Sequence, residues 1–285
     1  MGPLIDVSAL RALLAAPAGA AASVRVLDCG FDLFDTQAGE RAYAAGHLPG
    51  AFYAHLDRDL SAAKSARGPV DGGRHPLPTR AQWAQRLAQW GITPNTVVVA
   101  YDDQGGCYAA RAWWMLRWMG HHRVAVLDGG KAAWVADGGA LDVTLPTAAS
   151  VADYPDQAPG MATVTADELL QRLGRVSLVD ARAGERYRGE TEPLDTRAGH
   201  IPGAVNRFFK HNLQPDGRFK PVQALREDWL PLLQSGAPVV HQCGSGVTAC
   251  HNLLAVAHAG LGEGVLYPGS WSEWSADPSR PVALG

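Results

Sequence analysis

The segment Pro238-Val239-Val240-His241-Gln242-Cys243-Gly244-Ser245-Gly246-Val247-Thr248-Ala249 sets a thiol between a short β-branched apolar run and a glycine-rich turn. An almost wholly apolar helical pattern follows, from Val247 to Ala259. The thiolate is the reactive form of cysteine, and nearby positive charge or N–H donors lower its pKa. A strand–turn–helix junction supplies both, because the turn's amides can curl inward and a helix N-terminus carries partial positive charge. Ligands of open α/β sheets also bind beyond the carboxyl ends of the strands. Gly244 and Gly246 give the turn its conformational freedom. The spacing predicts a nucleophile at Cys243, cradled by Gly244, Ser245, Gly246, Val247 and Thr248.

The same loop excludes neighbouring chemistries. A cysteine-dependent phosphatase needs arginine at position 249 to fork the phosphate, and Ala249 stands there. Gly130-Lys131-Ala132 lacks both the upstream glycine and the hydroxyl of a nucleotide-phosphate loop. Ser245 lacks the G-x-S-x-G frame of a hydrolase, since Cys243 takes the first glycine's place. Cys250 follows two helical turns later and reads as core, while Cys29 and Cys107 have no partner spacing. His121, His122 and His251 show no zinc-ligand spacing. No metal or organic cofactor is expected. Trp113, Trp114, Trp271 and Trp274 read as packing residues.

The elements that must position this loop occur twice. Gly46-His47-Leu48-Pro49-Gly50-Ala51 recurs as Gly199-His200-Ile201-Pro202-Gly203-Ala204. Val24 to Asp28 is echoed by Val176 to Asp180, Val97 to Asp102 by Pro238 to Cys243, and Val126 to Gly129 by Val265 to Gly269. Four landmarks in one order imply a tandem duplication. His47 and His200 recur in both copies, including the one with no nucleophile, so a structural role in the turn is expected of them. At the strand end matching Cys243, the first copy carries Asp102. The organisation expected is a first domain over residues 1–141, a linker over 142–163 rich in proline and alanine, and a catalytic domain over 164–285.

Within each copy, apolar runs such as Val97-Val98-Val99-Ala100 read as strands buried on both faces of a parallel sheet. Thr79 is placed to cap a helix carrying Trp83, Leu87 and Trp90 and ending at Gly91; Thr165 and Glu168 form a capping-box pattern for another, reaching about Leu173. Ala109 to Met119 reads as a buried helix like the one after Cys243. The fold class is α/β, with a mostly parallel sheet flanked by helices in each half.

Of the 285 residues 47% are hydrophobic and 19% charged, and the net charge is -3. That balance suits a globular protein and lacks the basic excess of a nucleic-acid or membrane-surface binder. No stretch approaches the ~20 apolar residues of a membrane span. The alanine-rich run from Leu13 to Val24 reads as a helix followed by a loop, with Asp6 before Arg11 unlike a secretory leader, and a cytoplasmic protein is expected.

Two tandem copies with the GH[IL]PGA motif and a loop reading C-G-S-G-V-T-A resemble the rhodanese-type sulfurtransferases, and the loop is similar to their 3-mercaptopyruvate branch. Members acting on thiosulfate typically carry basic residues where this chain has Gly244 and Ser245. The resemblance implies an inactive first domain, a catalytic second domain, a site at their interface and a persulfide on Cys243. It also implies two arginines for the substrate's carboxylate and keto oxygens. Arg186 lies in the matching R-[YF]-R-G frame, Arg197 is the expected second, and Arg188 is a further candidate; the other reading is a solvated basic loop paired with Glu185, Glu190 and Glu192. Asp57 and His75 match positions assigned to a proton relay with Ser245.

The expected reaction moves sulfur from a small-molecule donor, 3-mercaptopyruvate, to cyanide or a thiol. That thiol is a small molecule or a thioredoxin-like protein. A thiosulfate-specific enzyme is the nearest alternative, and a non-catalytic binding or redox-sensing module the alternative from another class.

Overall fold

The computed structural model describes residues 1–15, 23–147, 151–152, 154–233 and 236–285. Strands β1 (Leu4–Ile5), β2 (Val24–Asp28), β3 (Ala51–Tyr53), β4 (Val97–Tyr101) and β5 (Val124–Leu127) form a sheet in the order β1-β5-β4-β2-β3. Strands β6 (Ala162–Thr163), β7 (Ser177–Asp180), β8 (Ala204–Asn206), β9 (Val239–Gln242) and β10 (Val265–Leu266) repeat it as β6-β10-β9-β7-β8. Every pairing between these strands is parallel. The duplication read from the motifs is a duplication of topology, strand for strand.

Helices α1 (Val7–Ala15), α2 (Ala38–Ala45), α3 (Arg80–Gln89), α4 (Ala109–Trp118) and α5 (Gly130–Ala136) accompany the first sheet. Helices α6 (Ala166–Gln171), α7 (Gly184–Tyr187), α8 (Val222–Leu233), α9 (Thr248–His258) and α10 (Ser270–Ala276) accompany the second. All five residues of β4 are buried, as its unbroken apolar run requires of a central parallel strand. The apolar helices α4 and α9 each bury eight successive residues, Ala109–Leu116 and Ala249–Val256. Both capping boxes form: Thr79 with Gln82 opens α3, and Thr165 with Glu168 opens α6, which ends at Gln171, two residues before Leu173. Trp113, Trp114, Trp271 and Trp274 are all core residues.

The two GH[IL]PGA turns are built alike. His47 stacks on Tyr43 and His200 on Tyr187, with ring centroids 4.0 and 3.9 Å apart. Each imidazole Nδ1 lies 2.9 Å from the carbonyl of the tyrosine it stacks on. Each tyrosine hydroxyl donates to the alanine that ends the motif, Ala51 or Ala204. These histidines tie a helix end to the next strand.

Two compact units result. One holds Met1–Leu60, Pro78–Gly160 and Pro215–Phe219; the other holds Ser61–Leu77, Met161–Gln214 and Lys220–Gly285. Ser61–Leu77 thus lies in the first repeat by sequence but in the second unit by packing. There Gly72 N–H donates to Glu273 Oε1 (3.0 Å) and Arg74 N–H to Ser272 Oγ (3.0 Å). Gly73, at φ 78°, packs so closely that a Cβ would lie 2.5 Å from the Gly269 carbonyl. Ala162 and Thr163, inside the stretch read as linker, form the edge strand β6 beside β10. Two residues are too few to leave a periodic signal. Residues 148–150 and 153 of that stretch, and 16–22 of the N-terminal run, lie outside the described residues. No helix among the described residues is long and apolar enough to cross a membrane.

Candidate active site

Cys243 directly follows β9 and is 2% exposed. Its N–H donates to Ser270 Oγ (3.0 Å), and that hydroxyl donates to the Tyr267 carbonyl (2.9 Å). Ser270, at φ 53°, is the one non-glycine residue at positive φ among the described residues. Such strain costs about 1–3 kcal/mol and collects at functional sites. The next two N–H groups of α10 hold the loop from the other side: Trp271 donates to the Cys243 carbonyl (3.0 Å) and Ser272 to the Gly244 carbonyl (2.9 Å). Gly246 is required where it stands, since φ is 73° and a Cβ would meet the Pro268 carbonyl at 2.2 Å. With the carbonyls so engaged, the N–H groups of Gly244, Ser245, Val247 and Thr248 have no acceptor among the described residues.

The first copy displays what such a loop can hold. Asp102 directly follows β4, as Cys243 follows β9. Its Oδ1 accepts the N–H groups of Gln104 and Gly106 (both 2.8 Å), and Oδ2 those of Tyr108 and Ala109 (2.8 and 2.9 Å). Burial raises its pKa, and these bonds oppose the rise because they favour the charged form. The first loop is an anion cradle filled by its own carboxylate. The second puts a thiol at the same place, before amides left free to meet an anion formed there.

Segment 61–77 brings His75 to the loop. His75 Nδ1 lies 2.7 Å from Ser245 Oγ, with both residues buried. Asp57 belongs to the other unit, where its N–H donates to His55 Nδ1 (3.1 Å).

The three candidate arginines have three different positions. Arg186, in α7, turns Nη1 to within 3.5 Å of where a Cβ on Gly244 would sit. Its Nη2 bonds Glu192 (2.6 Å) and Asp195 (3.3 Å), and its Nε is buried without a partner. Arg188 is exposed and forks Glu190 (2.7 and 2.9 Å), the solvated pairing weighed for this loop. Arg197 departs from the substrate-binding expectation. Its Nε donates to the Ser275 carbonyl (2.8 Å), Nη1 to that of Arg280 (3.0 Å), and Nη2 to those of Trp274 (3.1 Å) and Asp277 (2.5 Å). A cation at the carbonyl end of α10 satisfies orphan acceptors there, so its role is to anchor that helix.

One arginine escaped the sequence reading. Arg74 pairs with Asp195 through Nη1, and its Nη2 lies 3.0 Å from the Gly244 Cβ position. Burial raises the Asp195 pKa against the pull of both guanidiniums. The signal available was Arg74's place beside His75, in a loop with no periodicity. A further buried pair steadies the frame: Arg182 forks Asp180 and lies 4.7 Å from the Trp271 ring centre. Cys29, Cys107 and Cys250 are buried and in no disulfide, and Cys250 Sγ donates to the Gly246 carbonyl (3.3 Å). Among the described residues no group of His, Cys, Asp and Glu could hold a metal ion.

The sequence profile described as Rhodanese-like domain matches residues 21–137 and 165–277. The chain belongs to the rhodanese-like family. It is 49% identical over 266 residues to a probable 3-mercaptopyruvate sulfurtransferase of Pseudomonas aeruginosa, covering 91% of this chain and 92% of that one. It is 40% identical to a putative thiosulfate sulfurtransferase, SseB, of Mycobacterium tuberculosis, covering 92% and 91%. Among solved structures, the 3-mercaptopyruvate sulfurtransferase from Leishmania major superposes with a TM-score of 0.82 at 29% identity, covering 96% of this chain and 74% of that one. Where the first rhodanese-like repeat carries Asp102 at the end of β4, the second carries the thiol of Cys243 at the end of β9.

Proposed function

We propose that this chain is a sulfurtransferase that takes sulfur from 3-mercaptopyruvate onto Cys243 and passes it to cyanide or a thiol. The observation that carries this reading is the Cys243 thiol before free loop amides, at the place where the duplicate loop holds a carboxylate. The Cys243 thiolate attacks the donor sulfur. The carbon–sulfur electron pair leaves on carbon as the enolate of pyruvate, and the donor's thiol proton ends on that carbon. The product is pyruvate and an anionic persulfide, whose terminal sulfur accepts the loop N–H groups.

His75 and Ser245, 2.7 Å apart, move that proton. Arg186 orients the oxo acid by its planar fork. Cyanide then attacks the terminal sulfur, leaves as thiocyanate and restores the thiolate; a small thiol or thioredoxin-like protein does the same and leaves as its persulfide.

A thiosulfate donor is the second reading, because Arg74 and Arg186 place two guanidiniums over a loop that carries no charge of its own. Glu192 and Asp195 neutralise that pair, which favours a monoanionic carboxylate over a dianion. Steady-state assay of both donors decides. The expected result is a higher kcat/KM with 3-mercaptopyruvate, a difference in transition-state binding. Equal or reversed values would establish the thiosulfate reading instead.

A further inference from the structure

We infer that Arg74 is a donor-binding residue, holding the donor's carboxylate together with Arg186 above Gly244. The inference rests on the 3-mercaptopyruvate reading and names the second guanidinium that Arg197 does not supply. Three observations carry it. The nearest atoms to a Cβ on Gly244 are Arg74 Nη2 at 3.0 Å and Arg186 Nη1 and Nη2 at 3.5 and 3.9 Å, so both guanidiniums stand over the residue that follows the nucleophile. Arg74 Nη2 and Arg186 Nη1 donate to nothing among the described residues, while Nη1 of Arg74 and Nη2 of Arg186 are both held by Asp195. One carboxylate thereby fixes two arginine forks with a free nitrogen of each turned to the loop. Both side chains keep 18% of their surface exposed, enough to be met by a small ligand.

The backbone supports the same role. Arg74 N–H is fixed on Ser272 Oγ, and the Ser272 N–H is fixed on the Gly244 carbonyl, so α10 sets the height of Arg74 above the loop. A side chain at position 244 would crowd the Arg74 guanidinium, with its Cβ 3.0 Å from Nη2. Gly244 and Arg74 therefore act as a pair: the loop gives up its own side chain, and the charge arrives from segment 61–77. That segment also brings His75, so one stretch of chain carries a donor-orienting cation and a proton-relay base side by side. Arginine suits an oxo acid because its fork donates in parallel to two oxygens.

The test compares two donors in single-turnover reactions of the full chain. 3-Mercaptopyruvate carries the carboxylate; mercaptoacetone keeps the thiol and ketone and lacks it. Arg74→Gln is expected to lose roughly tenfold to a hundredfold in kcat/KM with 3-mercaptopyruvate, the range for a lost charge-assisted contact. It should lose little with mercaptoacetone, and discharge of preformed persulfide to cyanide should be unchanged. Arg74→Lys, which keeps the charge and the docking of the segment, should fall between Gln and wild type. Equal losses with both donors would overturn the inference and leave Arg74 a structural tie of segment 61–77. Wild-type rates for Arg74→Gln with both donors would also overturn it. Wild-type protein that releases no pyruvate from 3-mercaptopyruvate would instead defeat the underlying functional reading.

Discussion

Cys243 owes its place to amides and Arg186 owes its orientation to acids, and the two residues make different predictions. If Arg186 forks the donor carboxylate, Arg186→Lys retains charge and loses the bidentate geometry. The expected cost is about 1.5–3 kcal/mol, tenfold to a hundredfold in kcat/KM, confined to pyruvate release in the first half-reaction. Persulfide discharge to cyanide should change little, because cyanide has no carboxylate to hold. Single-turnover kinetics of both half-reactions checks this, and equal slowing of both would assign Arg186 to loop support. At this scale the sequence revealed what a local frame can carry. Cys243 was marked by its strand end and glycines, and Arg186 by the motif around it. Arg197 and Arg74 were not separable that way. One is drawn off by carbonyls of a helix nearly 80 residues later, and the other is brought in from over 100 residues earlier. Such partnerships are tertiary and leave no spacing to read.

At the scale of elements, the two strand–loop–helix junctions explain each other. Asp102 satisfies four N–H groups in the first, so Asp102→Ala would leave four buried or part-buried donors without an acceptor. Each unsatisfied buried donor costs about 1–3 kcal/mol, so the variant should be destabilised by more than ~3 kcal/mol. Urea unfolding measures it, and a loss below ~1 kcal/mol would contradict the cradle account. The strand β9 carries a second consequence. His241 is fully buried, neither ring nitrogen has a partner among the described residues, and burial lowers its pKa to about 3. The fold therefore keeps the imidazole neutral, while the unfolded chain takes up a proton below its ordinary pKa of about 6.5. The stability this contributes is complete above about pH 6.5 and is lost as pH falls toward 3. His241→Leu should accordingly lose less stability than wild type between pH 7 and pH 4, and parallel pH profiles would sink that expectation. Long elements such as α3, α4 and α9 were legible from caps and apolar runs. The edge strands β1 and β6, with two residues each, fall below any period and exist because a neighbouring strand pairs with them.

For the whole molecule, the duplication was the most legible feature, since its motifs mark the same turns in both sheets and the two histidine–tyrosine stacks are nearly superimposable in geometry. What the repeats could not foretell is that Ser61–Leu77 packs in the second unit, carrying Arg74 and His75 with it. A repeat boundary follows sequence similarity; a packing boundary follows buried contacts, and nothing obliges them to coincide. On this mechanism one thiol of four carries the transferred sulfur. Mass spectrometry of the intact protein after treatment with 3-mercaptopyruvate tests it most directly. The expected result is the gain of a single sulfur atom, mapping to the peptide that contains Cys243, discharged by cyanide as thiocyanate, and absent from a Cys243→Ser variant that melts like wild type. Sulfur mapping to Cys29, Cys107 or Cys250, or retained by Cys243→Ser, would contradict it.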